Sequence, residues 1–185
     1  MIDVNQLRKG TTFTLNNELY KVINYRHHKP GRGKATIRTT VRNLRSGSVT
    51  DLTFTSGDRV EDIRVESVEV EYLYEEGEFL TFMDLETFDQ PHLRKDIFGD
   101  DFLYLKANLQ LVLNKFEDEI IDYTLPTTVD MEVIDSEMAV AGDTANNPTK
   151  KVTLETGLVV QVPMFVNVGD TIRVKTEDSA YITRV

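Results

Sequence analysis

The feature that most constrains this chain is a hydrophobic period of two. Between residues 66 and 74, Val68, Val70, Tyr72 and Tyr74 alternate with Glu69, Glu71 and Leu73, which puts one face of an extended strand in a core and the other in water. The run from Glu75 to Glu78, with Gly77 inside it, then turns the chain into an apolar stretch from Phe79 to Met83, and a hairpin is predicted. Similar alternation recurs over 129–133, 158–162 and 171–174, separated by clusters of Gly, Asp, Asn and Pro. Many short strands at such spacing predict an all-β chain built from small barrels or sandwiches. Helical pattern is confined to one or two turns over 100–105.

Charge divides the chain into three. Lys and Arg number 12 against 6 Asp and Glu over 1–64, 4 against 16 over 65–126, and 5 against 9 over 127–185, giving +6, −12 and −4 within a total of −10. The strand pattern restarts at the same places, so three units are expected: 1–64, 65–126 and 127–185. Each holds about 60 residues, close to the lower limit for an independent core, and neighbours are expected to lean on one another. A basic first third points to a polyanionic partner at that end. The absence of cysteine removes disulfides and thiolate metal sites, so an oxidising compartment offers nothing and a cytoplasmic home is expected. The first residues lack an apolar signal core, and no run approaches the ~20 apolar residues of a membrane helix. The reading is a soluble chain with no membrane partner.

The first unit carries two alternating stretches, 19–25 and 35–44, joined by Arg26, His27, His28, Lys29, Pro30, Gly31, Arg32, Gly33 and Lys34. A minimal hairpin needs only two turn residues, so this connection is long enough to project. Pro30, Gly31 and Gly33 fix its bends, and the two glycines leave a slim backbone that presents the Arg32 guanidinium at the apex. Such a tip suits a narrow, phosphate-rich site, although a basic loop kept in solvent would look the same. It is not a nucleotide cradle. A Walker A loop ending at Gly33-Lys34 would need Gly at position 28 and Ser or Thr at 35, where the chain has His28 and Ala35. A dinucleotide fingerprint starting at Gly31 fails at Thr36 and lacks a βαβ unit.

Catalytic patterns are missing as well. There is no nucleophile elbow and no zinc-protease motif. The histidines are His27, His28 and His92, and neighbours on a strand point to opposite faces, so the first two cannot share a metal from extended backbone. The sixteen carboxylates of the middle unit read as a solvated acidic face that repels nucleic acid and so orients the chain on its partner. In the third unit, Gly142, Asp143, Thr144, Ala145, Asn146, Asn147 and Pro148 form a long polar loop ahead of Lys150 and Lys151. Period alone leaves two readings open, a simple connector into a core strand or a contact loop of an oligonucleotide-binding barrel.

Three stretches resemble the bacterial elongation factor P family. The segment Lys29-Pro30-Gly31-Arg32-Gly33 resembles its tip loop, and Gly142-Asp143-Thr144-Ala145 its third-domain loop. The spaced residues Lys150, Val152, Gly157, Val160, Val162, Pro163, Phe165, Val166 and Gly169 match its carboxy-terminal signature. Residues 72–74 and 82–88 are similar to its second domain, so the likeness runs in register along the chain. The resemblance implies a KOW/SH3-like barrel followed by two OB-fold barrels in an L-shaped, tRNA-like outline. It implies a monomeric, non-enzymatic factor with no cofactor and no metal. Such a factor binds the ribosome between the P and E sites, against 23S and 16S rRNA, and stabilises peptidyl-tRNA so that peptide bonds form at consecutive prolines.

By the same resemblance Arg32 is the tip residue facing the CCA end, framed by the RNA-contacting Lys29, Pro30, Gly31, Gly33 and Lys34. Gly142, Asp143 and Thr144 face the small subunit and the E-site mRNA codon. Tyr181 and Arg184 correspond to a carboxy-terminal Tyr-x-x-Arg that contacts tRNA or rRNA, with Ser179-Ala180 replacing the usual Gly-Glu; a plain closing strand is the competing reading. Many members carry Lys at the tip and extend it chemically, while others carry Arg, which can be rhamnosylated. Arg32 in a frame typical of the Lys class leaves a tip-modifying enzyme as an open partner. The competing functional reading is an RNA-binding, ribosome-associated module without peptide-bond stimulating activity. Each phosphate neutralised adds roughly 0.7–0.9 to the salt slope of log affinity. Ribosome binding measured against salt should therefore steepen with this hairpin, and Lys29→Ala or Lys34→Ala should flatten it; a slope unchanged in both variants would remove the hairpin from the electrostatic contact.

Overall fold

The computed structural model describes residues 1–29, 35–137 and 148–185. Strands form where the sequence alternates: β1 Ile2–Asp3, β2 Thr12–Leu15, β3 Glu18–His28, β4 Thr36–Asn43, β5 Val49–Thr55, β6 Arg59–Asp62, β7 Glu66–Glu76, β8 Phe79–Asp84, β9 His92–Arg94, β10 Gln110–Phe116, β11 Glu119–Thr124, β12 Thr128–Ser136, β13 Thr149–Leu154, β14 Val159–Pro163, β15 Thr171–Lys175 and β16 Tyr181–Arg184. They make three sheets, in the orders β1-β6-β2-β3-β4-β5, β11-β10-β7-β8-β9 and β14-β13-β12-β15-β16. The fold is all-β, as the alternation predicts. Helical turns among the described residues are short 3-10 segments, and the last of them, Gly99–Tyr104, covers the place where one or two turns are expected. Two compact units follow from the packing: residues 1–68 with 113–122, and residues 69–112 with 123–185.

In the first unit the six-stranded sheet wraps Val4, Leu7, Phe13, Val22, Ile37, Val41, Phe54 and Val60, with Phe13 set edge-on to Phe54 at 6.2 Å. A second cluster joins Leu19 and Ile63 to Ile121, with Leu44, Val65 and Phe116 against it. The alternation of β3 explains why one strand serves both: Val22 turns to the sheet's own core, while Leu19 and Lys21 face the other way. Lys21 donates to Asp122, whose side chain is only 9% exposed. Nearby, Arg45 reaches Glu119 at 3.2 Å. One of the sixteen carboxylates expected to form a solvated face is thus buried, and a cation on β3 is its counter-charge.

In the second unit β7 and β8 form the predicted hairpin, closing with Glu76 opposite Phe79. Gly77 takes a left-handed φ of 61° there, which glycine adopts without the Cβ penalty. The aromatic residues behind it pack in series: Tyr72 lies tilted against Phe82 at 5.5 Å, Phe82 stacks on Phe98 at 5.6 Å and Phe98 on Tyr123 at 4.3 Å. Tyr123 completes the group by donating to Asp101 at 2.7 Å. Farther along the chain, every second residue points inward: Val129, Met131 and Val133 on β12, Val152 and Leu154 on β13, Val160 and Val162 on β14, Ile172 and Val174 on β15. Tyr104 inserts into this core, and its hydroxyl lies 2.5 Å from that of Ser179. The Leu103 carbonyl accepts from Thr156. Each small sheet therefore gains apolar cover from a segment outside it.

Removing Lys21 tests the buried pair. Lys21→Met leaves the Asp122 carboxylate buried without its donor and should cost about 1–3 kcal/mol in urea unfolding. The double variant Lys21→Met, Asp122→Leu should recover most of that loss, because an apolar pair of similar volume often replaces a buried ion pair at little cost.

Candidate nucleic-acid interface

The first surface is the β3–β4 hairpin. Its ladder continues from Tyr20 opposite Asn43 to His28 opposite Thr36, with a bulge between Val22 and Asn24. On β3 itself burial thins before pairing ends: Val22 is buried and Tyr25 half-buried, whereas Asn24, Arg26, His27 and His28 are exposed. The distal part is held by the Tyr25 ring and by backbone bonds to β4, which brings the buried Ile37 and is itself paired with β5 from Thr36 opposite Thr55 to Arg42 opposite Val49. Its base is braced by Arg8, whose guanidinium stands 5.2 Å from the Tyr25 ring centroid. The same guanidinium donates to the carbonyls of Asn5 at 2.9 Å and Leu7 at 2.6 Å. Gly10, with φ of 90°, donates to the Val22 carbonyl at 2.8 Å and closes the turn that brings Arg8 there.

Lys29 follows directly on β3 and is exposed. Pro30, Gly31, Arg32, Gly33 and Lys34 lie outside the described residues, as do Gly142, Asp143 and Thr144 of the third-domain loop. The described parts of these two sites are their supports, the hairpin stem on one side and the ends of β12 and β13 on the other.

The second surface is the carboxy-terminal strand. Tyr181 and Arg184 open and close β16, which pairs with β15. They do not behave alike. Tyr181 is half-buried and packs against the core formed by β12 to β15. Arg184 lies outside, its guanidinium 5.6 Å from the centre of Phe165 and its Nη1 3.4 Å from Asp170. Phe165 itself is 58% exposed. The Asp170 carboxylate also accepts from the Asn167 backbone at 2.8 Å, which fixes it in place. Arg184 thus keeps free donors on a guanidinium whose face and one edge are already held, the arrangement that suits a phosphate oxygen. Sequence reasoning singled out Arg184 but not Asp170. The residue that orients the guanidinium sits in the loop before β15, and no periodic signal links the two.

Electrostatics at this end favours charged carboxylates. Asp130 receives a two-pronged bond from Arg173, 2.7 Å from Nε and 2.8 Å from Nη2, and this pairing holds its carboxyl below the ordinary range. The Asn167 N–H, with Arg184 behind it, lowers that of Asp170. No group of three or more His, Asp or Glu among the described residues is placed to hold a metal ion.

Comparison with known proteins decides what this scaffold is. Models of the elongation factor P family match in sequence: the KOW-like domain over residues 3–60, the OB domain over 65–123 and the C-terminal domain over 129–184. Over 185 residues, covering 100% of both chains, the sequence is 44% identical to Elongation factor P of Pelotomaculum thermopropionicum, and equally to that of Carboxydothermus hydrogenoformans. The chain belongs to the elongation factor P family. It is, with that family, a translation elongation factor, and its all-β build of KOW-like and OB domains is the family's. A structure of "Eukaryotic translation initiation factor 5A from Methanococcus jannaschii" shares the fold, with a TM-score of 0.53 at 16% identity over 68% of this chain and 90% of that one.

The lowered carboxyls give this member of the family a defined acid sensitivity. A carboxylate with folded pKa below the unfolded value of roughly 4 contributes stability above that pH and loses it as the pH falls through the folded value. The melting temperature should therefore drop between pH 5 and pH 3 in calorimetry. Asp130→Asn should melt lower than the parent at pH 7 and show a smaller drop on acidification.

Proposed function

We propose that the protein binds the ribosome between the P and E sites and stabilises peptidyl-tRNA so that peptide bonds form at consecutive prolines. The observation that carries this reading is the end-to-end identity with proteins named Elongation factor P. The β3–β4 stem, which carries exposed Arg26, His27, His28 and Lys29, supports it. In this reading the barrels of 1–64, 65–126 and 127–185 act as one adaptor in the cytoplasm. Arg32 approaches the CCA end, framed by Lys29, Pro30, Gly31, Gly33 and Lys34. Gly142, Asp143 and Thr144 face the small subunit and the E-site codon, and Tyr181 and Arg184, the latter steadied by Phe165 and Asp170, meet RNA.

The chemistry asked of the protein is positioning. The ribosome holds the reacting groups, and a poorly oriented prolyl-tRNA rarely samples attack geometry. A cationic tip against the CCA backbone restricts that motion, and about 1.4 kcal/mol of barrier recovered is tenfold in rate. No side chain of the factor has to react, so the role is non-enzymatic. A modifying enzyme that lengthens Arg32 would extend the reach of the same contact.

In a purified translation system the protein should raise the yield of a Pro-Pro-Pro reporter and leave a proline-free control nearly unchanged; equal effects on both would refute the reading. Arg32→Ala should keep its stability within about 0.5 kcal/mol, as for an ordinary surface site. It should still occupy ribosomes while losing most of the rescue per bound factor.

A further inference from the structure

The bulge in β3 decides which side of the sheet Tyr25 serves. Val22 is opposite Val41 and Asn24 is opposite Thr40, so Ile23 falls between them with no β4 residue opposite it, and its side chain is exposed. One extra residue shifts the alternation of the strand by one position. Val22 and Tyr25 therefore both pack on the core that β4 lines with Ile37 and Val41. In a regular strand, residues with that spacing point to opposite faces.

The same irregularity interrupts the ladder, and the turn from Arg8 to Thr11 spans the gap. The turn is tied to itself: the Arg8 N–H donates to the Thr11 hydroxyl at 3.1 Å, and the Thr11 N–H donates to the Arg8 carbonyl at 3.0 Å. Before the bulge it grips both backbone polar groups of Val22. The Gly10 N–H donates to the Val22 carbonyl, and the Val22 N–H donates to the Thr11 carbonyl at 2.9 Å. Beyond the bulge it reaches Tyr25 through the Arg8 guanidinium over the ring. The carbonyls of Asn5 and Leu7 hold that guanidinium in place, although Arg8 itself is exposed and lies outside the core. A lysine at this position keeps the charge but not the flat face and forked donors that make these contacts together.

We infer that the Arg8–Thr11 turn is a clasp across the β3 bulge and that Arg8 is a positioning residue: through Tyr25 it fixes the direction in which the β3–β4 stem carries residues 29–34 away from the sheet. The inference rests on the reading in which those residues act at the CCA end, and deepens it by naming what holds their stem. It also sets Arg8 apart from cations that meet RNA, because its role needs the shape of the guanidinium and not the charge alone. The bulge is where the stem has lost a ladder partner, and the clasp has one hold on each side of it.

The test uses the full-length protein in the purified translation system, titrated on the Pro-Pro-Pro reporter, with Arg8→Lys, Tyr25→Leu and Tyr25→Phe. Arg8→Lys should melt within about 2 °C of the parent, as for an ordinary surface site. Its rescue at saturation should fall about threefold, the factor that an exposed cation–π contact carries, while the concentration giving half of its own maximum stays at the parent value. Tyr25→Leu should lose rescue to the same extent and the double variant no more than either, whereas Tyr25→Phe keeps the ring and should match the parent. In the free protein, residual dipolar couplings of the amides from Asn24 to His28 should change relative to those of β2 in Arg8→Lys and stay at parent values in Tyr25→Phe. A parent that rescues, with Arg8→Lys equal to it in rescue and couplings, would overturn the clasp and leave the ribosomal reading intact. A raised half-saturating concentration with an unchanged maximum would also overturn it, since Arg8 would then be a binding contact. A parent without proline rescue would overturn both the reading and the role of Arg8 within it.

Discussion

The antiparallel ladder between β3 and β4 is what the rest of the first unit's surface depends on, because it carries the exposed distal residues of β3 alongside a core that Ile37 and Phe54 supply. Val22 and Val41 are paired and buried. Past the bulge the strands stay paired to His28, and of the β3 side chains there Tyr25 alone stays packed against the core while Asn24, Arg26, His27 and His28 are exposed. Main-chain hydrogen bonds that contribute only about 0.5–1.5 kcal/mol each are enough there because β4 is not an edge. Its far side is bonded to β5 along the whole distal stretch. An isolated two-stranded ribbon is marginal in water; a third strand makes this one a support.

Small sheets in this chain are stabilised by borrowing. A unit of about 60 residues buries too little surface to be comfortable, and each compact unit makes up the difference from a segment distant in sequence. In the first, Ile121 and Phe116 cover Leu19 and Ile63. In the second, Tyr104 enters the core of β12 to β15, where full burial of a large side chain contributes about 1.5–3 kcal/mol, and Ser179 satisfies its hydroxyl. Ser179 does so from a left-handed φ of 57°, a conformation that a residue other than glycine adopts at some cost. The hydrogen bond offsets the strain.

Much of this was legible in residue order. Val129, Met131 and Val133, then Ile172 and Val174, announced their strands by alternation, and Pro163 ends β14 as a residue without an N–H should. The resemblance in the tip loop and carboxy-terminal signature supplied the family. What stayed hidden shares one physical cause: it depends on partners brought together by the fold. Asp122 is one carboxylate in an acidic run until Lys21, 101 residues away, meets it. Arg184 is a terminal cation until Phe165 and Asp170 hold it. The packing of Tyr25 against the core requires the register, and the register contains a bulge that no period of two can announce.

That bulge has a mechanical consequence. An extra residue in one strand raises the local twist and bends the ribbon, so the heading of the distal hairpin is set at Ile23. Five residues separate the bulge from the end of β3, a lever of roughly 17 Å at ~3.3 Å per residue. A change of about 10° in twist at the fulcrum, well within the range sheets display, swings the far end by roughly 3 Å. Small repacking around Val22 can therefore re-aim the arm without altering a single residue at its point, and homologous chains can differ in reach while keeping identical tips.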